Sequence, residues 1–153
     1  MKKQKICVIG DGLSGLTAAL VLSNLDINVD FITKNKQEKK INDPRITAIS
    51  PTNFKFLNKY LDKKDNKLFW PCKKINLFYE KINQLYNFIY FSEDQKNLLY
   101  IIKNNDLKKV LLKKIKRKKN IKIISNEIKK VDTKNSCILF GNCLLYTSPS
   151  PRD

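Results

Sequence analysis

The stretch Ile6 to Leu20, ICVIGDGLSGLTAAL, constrains the fold more than any other part of the chain. A short apolar run ends in three glycines within six residues and passes directly into a helix-like pattern. Gly10, Gly12 and Gly15 spell G-x-G-x-x-G. That motif carries meaning only where it follows a strand and opens a helix, and both conditions are met here. Each glycine has its own physical reason. The first makes the tight turn, the second lets a pyrophosphate approach bare backbone, and the third lets helix and strand pack closely. The backbone N–H groups of Leu13 and Ser14 would then face the phosphates at the positive end of the helix dipole.

The flanking pattern fits a strand–helix–strand unit of about thirty residues. Lys5 to Ile9 (KICVI) reads as a buried parallel strand. Leu13 to Asn24 reads as a helix with Leu13, Leu16 and Leu20 on one face, and Ile27 to Thr33 (INVDFIT) as a second strand. Lys34 to Ile49 reads as polar and irregular. Ser50 before Pro51 is a helix-start signal for a helix to about Leu61. Lys74 to Glu80, Tyr86 to Ser92 and Leu98 to Ile102 are rich in aromatic and β-branched residues and read as strands. Asn105 is placed to cap a helix through Lys116. Ile121 to Ser125 is another buried strand, followed by short candidates at Ile128 to Asp132 and Cys137 to Phe140. The fold class is therefore α/β, a Rossmann-like FAD/NAD(P)-binding fold.

The end of the second strand is where such folds place an acidic residue for the adenosine ribose. Here that position is Thr33, whose hydroxyl bonds a ribose more weakly than a carboxylate does. Asp30 has the right sequence separation but lies inside the strand. Lys34 is placed to support a 2′-phosphate, so NADH and NADPH both stay open.

Charge says less than it first suggests. The formal net charge is +17, which favours anionic partners. However, Lys, Asn and Ile supply 63 of 153 residues, and all three have AT-rich codons. Genome composition thus accounts for the lysines without selection for binding. The densest run, Lys113 to Lys119, ends a helix, where cations complement the dipole. No nucleic acid partner is expected. There is no histidine, which excludes His-based catalysis and His metal ligands. Cys7, Cys72, Cys137 and Cys143 contain no CxxC pair, so no metal site is expected. Cys7 within the first strand reads as a buried thiol, consistent with a reducing compartment. Lys2, Lys3 and Lys5 ahead of an apolar run imitate a signal peptide, but Gly10, Asp11 and Gly12 interrupt it. The expected localisation is cytoplasmic.

Two later stretches narrow the cofactor. NDPRITAIS (Asn42 to Ser50) follows the second strand, and IIKNNDLKKVLLKKI (Ile101 to Ile115) leads into a helix and a returning strand. This order resembles the FAD-dependent aromatic hydroxylases related to para-hydroxybenzoate hydroxylase, most closely the ubiquinone-biosynthesis type. That group carries D-x-R-x-x-A-[IL], matched by Asp43, Arg45, Ala48 and Ile49. The resemblance covers residues 5 to about 142. It implies that Arg45 contacts FAD, a role suited to a planar guanidinium. It also implies that a polar residue at the start of the later helix lies near the flavin. Asn104 is the best match and Asn105 its neighbour, with helix capping as their alternative role.

The implied activity is that of a class A flavin monooxygenase, with NAD(P)H as reductant and O₂ as oxidant, hydroxylating an electron-rich ring. The cofactor carries that chemistry, so no catalytic acid, base or nucleophile is assigned to this chain. The ubiquinone branch implies a polyprenylated phenol substrate, peripheral contact with the inner membrane surface and association with other enzymes of that pathway.

The last eleven residues, CLLYTSPSPRD, contain no Lys, Asn or Ile. They resemble one translated frame of a transposase-type sequencing adapter. The expected organisation is residues 1–142 as the N-terminal portion of an FAD-binding domain with the start of a mixed β-sheet substrate domain, and residues 143–153 as a non-native tail. The fold would then be incomplete, and the 153-residue chain is expected to be a truncated, inactive fragment of such an enzyme. A second Gly-Asp FAD motif would lie downstream, and the strand Cys137 to Phe140 would lack its hairpin partner. Rival readings are another FAD or NAD oxidoreductase of the same nucleotide fold, a basic nucleic-acid-binding module, and a non-catalytic interaction domain. The DPRITAI stretch argues against an amine oxidase.

Overall fold

The computed structural model describes residues 3–34, 43–92, 96–126, 128–132, 137–140 and 143–147. The fold is mixed α/β, with eleven strands among the described residues, three α-helices and one 3-10 helix. It divides into two compact units. The first comprises residues 1–42 and 111–153, and the second residues 43–110.

The first unit is organised by β1 (Lys5–Ile9), α1 (Leu13–Leu22), β2 (Asn28–Thr33) and β8 (Ile121–Ser125). The three strands form one parallel sheet in the order β1-β2-β8. β2 is central and buried from Val29 to Thr33. Phe31 is 1% exposed, a burial that stabilises by about 2–3 kcal/mol relative to an exposed ring. Leu16, Ala19 and Leu20 are the buried face of α1. Leu13 is only half-buried. Asn120 clips the end of α1 to β2, its Nδ2 donating to the carbonyls of Ser23 at 2.8 Å and Ile27 at 2.9 Å.

The expectation that β1 and β8 are buried needs correction. Both lie at the edges of the sheet, with Ile9 and Ile123 exposed. An apolar run says that a strand has covered faces, but strand order decides which faces are covered.

Three further strands, β9 (Ile128–Asp132), β10 (Cys137–Phe140) and β11 (Cys143–Thr147), form an antiparallel meander. β10 pairs with both neighbours, so the expected missing partner of Cys137–Phe140 is instead β11, drawn from the final eleven residues. Residues 141–142 and 148–153 lie outside the described residues. Ile138 packs with Ile32 of β2, alongside Cys7, Ile124 and Ile128.

In the second unit, β3 (Ile46–Ile49), β7 (Leu99–Lys103) and β4 (Trp70–Cys72) form an antiparallel sheet with β7 central. Residues 46–49, expected to be irregular, are thus a strand. Helix α2 (Pro51–Asn58) begins as expected. The Ser50 hydroxyl accepts from the Asn53 N–H, and Pro51 stands at the first helical position. It ends three residues before Leu61, and a 3-10 helix over Lys63–Leu68 follows. Phe54 of α2 stacks on Tyr100 of β7 and meets Phe69 edge-on. β5 (Lys74–Lys81) and β6 (Gln84–Ser92) form a separate two-stranded ribbon. Its two-residue turn holds Ile82 and Asn83 at φ 51° and 56°. α3 (Asn104–Lys116) follows β7 directly. No helix among the described residues is long and apolar enough to cross a membrane.

Candidate cofactor-binding elements

The glycine turn joins β1 to α1 in the first unit. Gly10 adopts φ +107°, a conformation that L side chains rarely adopt. Its N–H donates to the Ile32 carbonyl at 2.9 Å, which fixes the turn against the end of β2. Gly15 is required for a different reason. A Cβ there would lie 2.1 Å from the Gly10 carbonyl oxygen, so only a glycine lets the helix start so close to the turn.

Gly12 is the informative one. It caps α1 at φ −70°, a conformation open to any residue, and a Cβ built on it meets nothing within 4 Å. The chain's own packing therefore does not demand glycine here. A bare backbone beside open space is what a ligand approaching the helix start would need. The N–H groups of Leu13, Ser14 and Gly15 belong to the first helical turn, which has no preceding carbonyls to accept from them. That donor set suits a phosphate oxygen. Ser14 is exposed and Leu13 half-buried.

Thr33 closes β2 opposite Ser125 and is 8% exposed. Lys34 beyond it is exposed. Asp30 sits mid-strand in register with Cys7, and its carboxylate pairs with Lys5 Nζ at 2.7 Å. With a side chain 4% exposed, Asp30 needs that cation, because removing one partner of a buried pair strands the other charge.

Cys7 is half-buried rather than buried. Desolvation, reinforced by the Asp30 charge and opposed by Lys5, pushes its thiol up to about 11. Near pH 8 this lowers the thiolate population about a hundredfold relative to an ordinary thiol, and the greater basicity returns roughly tenfold in nucleophilicity. Iodoacetamide is thus expected to alkylate Cys7 about tenfold more slowly than free cysteine. Mass spectrometry of the Cys7 peptide over a time course checks this, and equal rates would contradict it. Because the folded value is raised, the neutral thiol's contribution to stability is complete below the ordinary thiol range and fades as pH rises towards 11.

The second unit holds a polar cluster at the start of β3. Asp43 and Arg45 are joined three times. Arg45 Nε donates to Asp43 Oδ1 and Nη2 to Oδ2, both at 2.8 Å, and the Arg45 N–H donates to Oδ1 at 3.0 Å. The last bond makes an Asx-turn around Pro44. β3 and β7 pair with Ile46 opposite Lys103, so Arg45 before one strand meets Asn104 after the other. The Asn104 N–H donates to the Arg45 carbonyl at 3.1 Å. Asn104 Nδ2 donates to Asp43 Oδ2 at 3.3 Å, and Asn104 Oδ1 accepts from the Thr47 hydroxyl. Asn105 Oδ1 accepts from the Asp43 N–H at 3.4 Å.

Arg45 and Asn104, 59 positions apart in sequence, thus share one carboxylate. The sequence reading missed Thr47 and gave Asp43 no binding role. Only the strand register, which no local pattern reveals, brings these residues together. The alternative role of the two asparagines as helix caps also needs correction. Asn104 is already the first residue of α3, and both amides engage the β3 side of the cluster. The Arg45 guanidinium, through its hydrogen bonds and charge, holds the Asp43 carboxyl well below the usual carboxylate range. The pair in turn raises Arg45.

The fold is shared with solved structures of other proteins. The chain matches the crystal structure of FqzB at TM-score 0.72 and 12% identity, over 95% of this chain and 34% of that one. It matches CtdE, solved in complex with FAD and a substrate, at TM-score 0.72 and 14% identity, over 95% and 36%. A third match is p-nitrophenol 4-monooxygenase PnpA from Pseudomonas putida DLL-E4, at TM-score 0.66 and 16% identity, over 88% and 36%. At these identities the likeness is one of fold. The chain spans about a third of the length of these structures. No family model matches the chain, and no curated protein matches it.

Proposed function

We propose that this chain is the nucleotide-binding portion of an FAD-dependent aromatic monooxygenase. The observation that carries the reading is Gly12, a glycine that the chain's own packing does not require, standing over open space at a helix start. The fold shared with CtdE, which was solved with FAD, supports the choice of cofactor. In this reading the backbone from Gly10 to Gly15, with Leu13 and Ser14, holds the pyrophosphate. Thr33 serves the ribose, and Arg45 and Asn104 make further contacts to the dinucleotide. FAD, reduced by NAD(P)H, would supply the oxygen chemistry. The protein's own share is to bind, orient and exclude water.

The finer proposal is a ubiquinone-pathway hydroxylase acting on a polyprenylated phenol, cytoplasmic and peripheral at the inner membrane surface, in company with other enzymes of that pathway. It rests on Asp43, Arg45, Ala48 and Ile49 in the spacing D-x-R-x-x-A-I. The proposed domain division ends the native portion at Asn142. A long genomic read across codon 142 is expected to continue into a Gly-Asp motif. A stop codon after YTSPSPRD in genomic DNA would remove the monooxygenase activity from this protein.

The cofactor reading is tested by Gly12→Ala. Its far-UV circular dichroism and melting curve should match the parent, because the methyl enters empty space. Flavin fluorescence titration should show FAD affinity reduced at least about tenfold, because the methyl occupies the ligand's approach. Equal affinity in parent and variant would refute the assigned role of Gly12, and absence of FAD binding by the parent would refute the cofactor reading for this chain.

A further inference from the structure

Arginine on a surface is usually a mobile group. Its side chain carries about 2 kcal/mol of rotamer entropy, and a ligand that needs it in one pose must restrain it. The Arg45 side chain is 78% exposed, yet it is tied at Nε, at Nη2 and at its own backbone N–H, all to Asp43. Asp43 is the better-buried partner, with its side chain 16% exposed. It is held in turn by Asn104 Nδ2 and, through its own N–H, by Asn105 Oδ1. Pro44 between them fixes φ and brings no competing N–H. A guanidinium bound along its Nε–Nη2 edge has its Nη1–Nη2 edge directed away from the carboxylate.

We propose that Asp43 is a positioning residue: it selects the pose in which Arg45 presents its Nη1–Nη2 edge to an anionic or polyhydroxyl edge of the dinucleotide, and it aligns the Asn104 amide in the same act. Thr47 completes the arrangement. Its hydroxyl donates to Asn104 Oδ1, which leaves Nδ2 to donate to Asp43. This inference rests on the FAD reading above for the identity of the ligand, but the restraint on Arg45 exists without any ligand.

The opposite role is physically open to a carboxylate in this place. An acid paired to arginine also neutralises it, and a competitor of that kind would weaken anion binding. The two roles predict opposite signs, so removing the charge decides between them. Asp43→Asn keeps the size of the side chain. Asp43→Ser keeps a hydroxyl able to accept from the Arg45 N–H, so the turn survives even if the first variant misfolds.

Two readouts on the full chain are needed. The first is hydrogen exchange of the Arg45 Nε–H by NMR, without ligand. It should speed up at least about tenfold in both variants, because the charge-assisted, two-point grip of the carboxylate on Nε and Nη2 is lost. The second is FAD affinity by flavin fluorescence. The dissociation constant should rise about tenfold in Asp43→Asn and in Arg45→Ala, and the double variant should be no weaker than Arg45→Ala alone. Unchanged exchange would overturn the positioning role. Tighter FAD binding by Asp43→Asn would replace it with competition. If the parent bound no FAD, the ligand assignment would fall together with the cofactor reading, while the exchange rates would still decide whether Asp43 restrains Arg45.

Discussion

Gly15→Ala is expected to destabilise the first unit by about 3 kcal/mol or more. The added Cβ would stand 2.1 Å from the Gly10 oxygen and 3.1 Å from the Gly10 carbon. Both atoms are backbone, so no side-chain rotation relieves the clash. Either α1 moves away from the sheet or the turn loses its bond to Ile32. A chain of this size melts about 2–4 °C lower for each kcal/mol lost, so the midpoint should fall by about 10 °C. Thermal denaturation followed by circular dichroism measures it. Gly12→Ala is the control, three residues away, with no clash to relieve. If the two variants melted together, the separate roles assigned to these glycines would be wrong.

Self-association of the 153-residue chain is the second large effect. The β5–β6 ribbon exposes Phe78, Tyr79, Ile82, Leu85, Tyr86, Phe88, Tyr90 and Phe91. Tyr79 stacks on Tyr86 and meets Phe88 edge-on, which places three rings together on one face. Among the described residues each ribbon strand has one partner, and an open apolar edge is a template for another chain. Ile82 adds strain, because a β-branched residue at positive φ costs of order 1–2 kcal/mol, and at 88% exposure it recovers nothing by burial. Light scattering is expected to show assemblies at micromolar concentration. Ile82→Gly with Phe88→Lys should shift the population to monomer, since glycine suits the turn and lysine breaks the ring cluster. A parent chain that stays monodisperse at about 100 µM would contradict this reading of the ribbon.

Much of the first unit was legible because its signals are local. The glycine spacing, the apolar run before it and the leucines after it each announce one element within a few residues. The Ser50–Pro51 start of α2 was equally local. The failures share a physical cause. β3 is four residues long in a polar stretch, and its strand character comes from pairing with β7. β4 contains Pro71, which argues against a strand until its edge position is known. The burial of β1 and β8 was overestimated because hydrophobicity is a property of the run, whereas cover is a property of its place in the sheet. The polar cluster shows the same limit. Arg45 and Asn104 could be singled out separately, but their common partner Asp43 follows from a register between strands some fifty residues apart.

The nesting of the two units in the sequence also sets a timetable for synthesis. β2 pairs with β1 on one side and with β8 on the other, but β8 lies beyond the whole second unit. About ninety residues separate the two strands, which a ribosome makes in roughly 4–18 s. Throughout that interval β1, α1 and β2 are already outside, with the central strand open along one edge. The second unit, continuous from Asp43 to Val110, can fold while they wait. A nascent chain stalled before Ile121 should therefore be far more accessible to protease and chaperone at Phe31 than one stalled after Ser125 has emerged.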